Sequence, residues 1–116
     1  AHDSHNIIVV GVNDADMKAA VDTVIRLKGG MVAVCDNQVH ARLALPIAGL
    51  MSPDTVETVR MQLDRLISVA RDFGTTLRDP FMSLSFLALP VIPELKITDR
   101  GLVDVSKFEI VSLFAP

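Results

Sequence analysis

His2-Asp3-Ser4-His5-Asn6 sets two imidazoles, a carboxylate, a hydroxyl and an amide within five residues. Together they supply donors, acceptors and a proton carrier near neutral pH. The run leads directly into Ile7-Ile8-Val9-Val10, which has no polar side chain. Such a β-branched stretch predicts a strand buried on both faces. His2, Asp3, Ser4, His5 and Asn6 would then stand where the strand emerges. They are the candidate substrate-contacting residues.

A plainer role competes with this one: the same groups could cap and hydrogen-bond the start of a buried strand. On a strand, the spacing of three between His2 and His5 points their rings to opposite faces. On a turn they could converge. His40 stands alone and Cys35 has no partner at short spacing, so no metal ligands are assigned in this chain. Ser4 lies outside any Gly-x-Ser-x-Gly elbow. Gly11 follows the apolar run without the Gly-x-Gly-x-x-Gly pattern that cradles a dinucleotide. Cys35 is expected to pack at a strand end, and the methionines to fill core space. Glu94 sits beside Pro93 in apolar surroundings, where its pKa would rise, or else it faces solvent. Asp99 and Asp104 are expected to serve turns.

Composition narrows the classes. Of 116 residues, half are hydrophobic and 22% charged, so one ordinary domain over 1–116 with a sizeable core is expected. The net charge of −3, without Tyr, Trp or a basic stripe, argues against nucleic-acid binding. One cysteine excludes an internal disulfide and fits a reducing, cytoplasmic setting. The longest apolar run, Leu84 to Ile92, is broken by Ser85 and Pro90. It falls short of the roughly 20 residues a bilayer requires, so no membrane partner is expected. No secretory signal pattern is visible. The chain opens without Met on a polar motif feeding an apolar run, which suggests a piece of a longer protein.

The elements follow in order. Asn13 caps a helix over about 14–28, with Asp14 and Asp16 in its first turn and Met17, Ala20, Val21, Val24 and Leu27 on one face. Gly29-Gly30 ends it. Met31–Val34 and Gln38–Leu43 form a hairpin about Asp36-Asn37. Leu45-Pro46-Ile47-Ala48-Gly49-Leu50-Met51 is an apolar loop that needs cover, from this chain's core or from a neighbouring domain. Ser52-Pro53 starts a long helix that Gly74 ends. Asp79–Leu89 reads as a strand, with a short helix as the other option. Thr98-Asp99-Arg100-Gly101 turns into a final strand, Phe108–Phe114. The order is strand, helix, strand, strand, helix, strand, strand. That is an α/β (α+β) chain with two helices packed on a mixed sheet, in a ferredoxin-like βαββαβ order.

Three stretches resemble a known family. They are His2 to Gly11 with Asn13-Asp14 and Met17, then Leu45 to Ser52, then Asp79 through Val105. In particular, Asp79-Pro80-Phe81-Met82-Ser83 and Leu89-Pro90-Val91-Ile92-Pro93-Glu94-Leu95-Lys96 are unusual runs. The chain resembles the C-terminal domain of the bacterial adenine deaminases, metal-dependent members of the amidohydrolase superfamily. The resemblance implies a parent enzyme that hydrolyses adenine to hypoxanthine and ammonia in purine salvage. It implies manganese, iron or zinc held in a (β/α)₈ barrel outside this chain, with no cofactor bound here. The expected role is accessory and inactive alone, with the chain's own barrel as partner and adenine as substrate of the parent. A homo-oligomer is a further expected partner. Leu45, Pro46, Ile47, Leu50, Met51, Phe81, Phe86, Pro90 and Glu94 are the candidate docking residues. The competing expectation is a free-standing small-ligand-binding or dimerisation module without catalysis.

Overall fold

Asn13 does cap the first helix: its Oδ1 accepts from the Asp16 backbone N–H at 2.8 Å. In the structure, a computed structural model describing residues 1–114, helix α1 runs Asp14–Leu27. Asp16 then reaches across to the hairpin turn, accepting from the Asn37 N–H at 2.7 Å. Lys28 closes the helix in the left-handed conformation, with its N–H on the Ile25 and Val24 carbonyls. Strands β1 (Gly30–Cys35) and β2 (Gln38–Ala44) pair antiparallel, with a bulge at Ala33/Val34. The turn between them holds Asp36 and Asn37 at φ 52° and 58°. Paired positive φ values give the turn twist that suits a two-residue hairpin.

Helix α2 spans Val56–Asp72. It begins three positions beyond Pro53, with Thr55 rather than Ser52 as its cap. Ser52 Oγ instead accepts from the Asp54 N–H at 3.1 Å, a local turn that delays the helix. Leu66 and Val69 of α2 pack with Ala33, Ala41 and Leu43 of the hairpin, and Leu66 is 0% exposed. Met31, Leu45, Val59, Leu63 and Phe81 close around this core. Residues Val9–Phe81 form one compact unit.

Ala1–Ile8 and the chain from Met82 onward form the other unit. The division falls inside helix α3, Pro80–Phe86. Strand was expected over Asp79–Leu89. Helix forms instead because Pro80 suits a first helical position, where no N–H is required. Ser85 Oγ also donates back to the Met82 carbonyl at 2.8 Å. Strands β3 (Leu95–Thr98), β4 (Gly101–Asp104) and β5 (Glu109–Val111) make a three-stranded antiparallel meander. Thr98 Oγ1 donates to the Gly101 carbonyl at 2.8 Å and accepts from the Arg100 N–H, closing the β3–β4 turn. Asp104 is bound by the Lys107 ammonium at 3.1 Å and serves the next turn, as expected. The final strand is shorter than Phe108–Phe114, because Phe108 sits at φ 57° and breaks the extended run.

The class is therefore α+β, with three helices and two small antiparallel sheets among the described residues. The mixed sheet of the sequence reading is divided in two. Ile7–Val10 is not a strand; Ile7, Val9 and Val10 are exposed. It finds no partner strand among the described residues, and unpaired backbone cannot be buried without cost. No described helix is long and apolar enough to cross a membrane.

Two outcomes test this packing. Leu66→Ala should lower the unfolding free energy by about 2–5 kcal/mol in urea titration, since a fully buried side chain leaves a cavity. A loss within experimental error would deny Leu66 its place in the core. The Asn37 N–H, then the Asn13 amide, hold the Asp16 carboxyl below the ordinary carboxylate pKa. The folded state thus binds that proton less tightly than the unfolded state. The stabilisation is complete above the ordinary value and is lost as pH falls through it toward the lowered one. The stability gap between wild type and Asp16→Asn should shrink between about pH 5 and pH 3; a gap flat across that window would contradict the contact.

Candidate functional site

The polar head closes on itself. The His5 N–H donates to the Ala1 carbonyl at 3.1 Å, and the Ala1 nitrogen donates to the Asn6 carbonyl at 2.9 Å. Ser4 Oγ donates to Asn6 Oδ1 at 2.8 Å. The result is a turn, not the end of a strand, with His5 at φ 53°. A non-glycine residue there is uncommon and carries strain of order 1 kcal/mol or more.

The two imidazoles have different settings. His2 Nε2 lies 3.4 Å from Asp3 Oδ2, and its ring meets Phe86 edge-on at 5.9 Å. His5 Nδ1 lies 2.9 Å from the Asp3 carbonyl. A carbonyl only accepts, so this bond makes Nδ1 the protonated nitrogen and leaves Nε2 with its lone pair in the neutral ring. Ser4 and Asn6 are half-buried, and the Ser4 hydroxyl is bound to the Asn6 amide oxygen. The head thus brings together all five candidate residues, with His5 presented outward.

An open hollow of about 150 Å³ lies beside the head, lined by Asn6, Ile8, Ala88, Ile97 and Asp99 among others. Ligand pockets run to roughly 300–1,000 Å³, so this hollow is too small to enclose a ligand on its own. Among the described residues, no three His, Cys, Asp or Glu side chains gather as a metal site. His40 is edge-on to Phe73 at 5.4 Å. The Cys35 thiol is pushed up, first by burial and then by Asp36, which opposes thiolate chemistry.

The docking candidates divide by position. Leu45 and Phe81 pack against the core of their own unit. Ile47, Leu50 and Met51 stay exposed, as do Pro46, Phe86, Pro90 and Glu94. The Leu45–Met51 loop is a built turn: Ile47 and Met51 exchange both backbone hydrogen bonds, at 3.0 and 3.1 Å. Ala48 and Gly49 take positive φ at its tip. Gly29 lies against it so closely that a Cβ there would stand 2.3 Å from the Gly49 Cα. Only glycine permits that approach.

Lys96 is a feature that sequence reasoning missed. It is buried, and its Nζ donates to the Pro93 and Leu95 carbonyls. Its neighbours Leu95 and Ile97 are exposed instead, an inversion of the usual pattern. The alternation Leu95-Lys96-Ile97 was visible, but nothing in it says which face turns inward.

Residues 1–109 match the family model described as the adenine deaminase C-terminal domain. The chain belongs to that family. An adenine deaminase of Desulfatibacillum aliphaticivorans is 63% identical over 114 residues, covering 98% of this chain and 20% of that protein. An adenine deaminase of Syntrophobacter fumaroxidans is 59% identical over 114 residues, covering 98% of this chain and 20% of that protein. One from Brucella abortus (strain 2308) is 56% identical over 111 residues, covering 96% and 19%. This adenine deaminase C-terminal domain thus spans about a fifth of the length of these relatives.

Proposed function

We propose that this chain is the accessory C-terminal domain of an enzyme that hydrolyses adenine to hypoxanthine and ammonia, in purine salvage in the cytoplasm. The observation that carries the reading is the 63% identity, across 98% of this chain, to a protein named adenine deaminase. On this reading the 116 residues act as one domain docked on a catalytic barrel supplied by the rest of the polypeptide. The metal, manganese, iron or zinc, belongs to that barrel, where it would activate the attacking water. This chain's own side chains offer no ligand cluster among the described residues to hold it.

Ile47, Leu50 and Met51 supply an apolar docking surface on one unit, and Phe86 and Pro90 supply apolar contacts on the other. Exposed apolar patches of this kind mark interaction sites. The head, His2 to Asn6, faces the mouth of the barrel. It contacts the purine or orients a group that does. The hollow beside the head, about 150 Å³, is too small to enclose a ligand and lends no support to the free-standing ligand-binding alternative.

The isolated chain should release no ammonia from adenine with manganese or iron added, while the full-length protein does. In the full-length protein, Ile47→Asp with Leu50→Asp should lower kcat/KM about tenfold or more by burying charge at the docking surface. Ammonia release by the isolated chain above a metal-only blank would overturn the accessory role. Unchanged kinetics in the double variant would remove this loop from the docking surface.

A further inference from the structure

The His5 ring carries an imidazole nitrogen that the fold has oriented and left without a partner among the described residues. His5 Nδ1 donates to the Asp3 carbonyl at 2.9 Å, and no hydrogen bond reaches Nε2 among the described residues. The ring is exposed and rides on a backbone held at φ 53°. Three hydrogen bonds hold the turn in place: His5 N–H to Ala1 O, Ala1 N to Asn6 O, and Ser4 Oγ to Asn6 Oδ1. Strain that is held so firmly tends to mark a working group. A histidine whose Nδ1–H is tied to a carbonyl presents Nε2 as a directed acceptor. His2 differs, because its Nε2 pairs with Asp3 and its ring leans on Phe86.

We propose that His5 Nε2 is a substrate contact, accepting a hydrogen bond from an N–H of the purine bound by the full-length enzyme. This rests on the adenine deaminase reading above. Ser4 Oγ and Asn6 Oδ1 are paired with each other and His2 Nε2 lies against Asp3 Oδ2, whereas His5 Nε2 projects from a ring whose Nδ1 is tied to the Asp3 carbonyl, which makes it the head's directed contact to ligand. His2, Asp3, Ser4 and Asn6 are positioning residues on this assignment.

Two substitutions in the full-length protein separate contact from scaffold. Asparagine carries an amide nitrogen near the position of Nδ1 and tolerates the left-handed conformation. His5→Asn therefore keeps the turn and deletes the acceptor. Glutamine reaches further, and its amide oxygen can stand near the position of Nε2. His5→Gln therefore keeps an acceptor while straining the turn. The expected order for adenine kcat/KM is wild type, then His5→Gln, then His5→Asn, the last lower than wild type by roughly 10–100-fold, since one lost hydrogen bond leaves a substrate donor unpaired. Thermal unfolding should place His5→Asn at or above His5→Gln. If His5→Asn equals or exceeds His5→Gln in kcat/KM, His5 serves only the turn and the proposal falls. If wild type itself shows no activity on adenine, the functional reading fails first and takes this contact with it.

Discussion

Leu66 is the residue on which the α1–hairpin–α2 unit depends. It is fully enclosed by Ala33, Ala41, Leu43 and Val69, a core with little volume to spare. Two of those neighbours are alanines, so α2 lies close to the hairpin and Leu66 fills the space between them. A core this small buries few of the apolar side chains the sequence carries. Half of the 116 residues are hydrophobic. Ile47, Met51, Val56, Met61, Leu95, Ile97, Phe108 and Ile110 all remain exposed. The chain has more apolar surface than its own packing can cover, and that surplus is the physical case for a partner.

The surplus is held in shape. The Leu45–Met51 turn is closed by the paired bonds of Ile47 and Met51, and braced by the Gly29–Gly49 approach. A rigid apolar turn loses less conformational entropy on docking than a loose one. Its exposed residues suit the contact with the rest of the enzyme proposed above. The head is shaped in the same manner, its turn closed by internal hydrogen bonds and its His5 ring tied at Nδ1 and turned outward.

Local chemistry was legible in the sequence, and long-range pairing was not. Asn13, Gly29-Gly30 and Asp36-Asn37 announced a cap, a helix stop and a hairpin turn, because each acts on its own backbone. Ile7–Val10 misled, since β-branching describes what a strand tolerates and not whether a partner exists. Met82-Ser83-Leu84-Ser85-Phe86 alternates like a strand, yet Pro80 and the Ser85 back-bond favour helix. Lys96 inward with Ile97 outward is set by the Pro93 and Leu95 carbonyls, which no periodicity reveals. For the head, the residue types were evident from the start. Which imidazole is tied and which is presented depended on the turn.

Methionine oxidation footprinting of the full-length protein tests the central claim most directly. Met51 and Met61 are 56% and 66% exposed in this chain, nearly equal, so a difference in their oxidation reports cover from elsewhere. The account places Met51 on the docking surface and leaves Met61 outside it. It predicts that Met51 is protected while Met61 reacts freely. Met51 reacting as fast as Met61 would mean that this loop faces solvent in the whole enzyme, and would contradict the account.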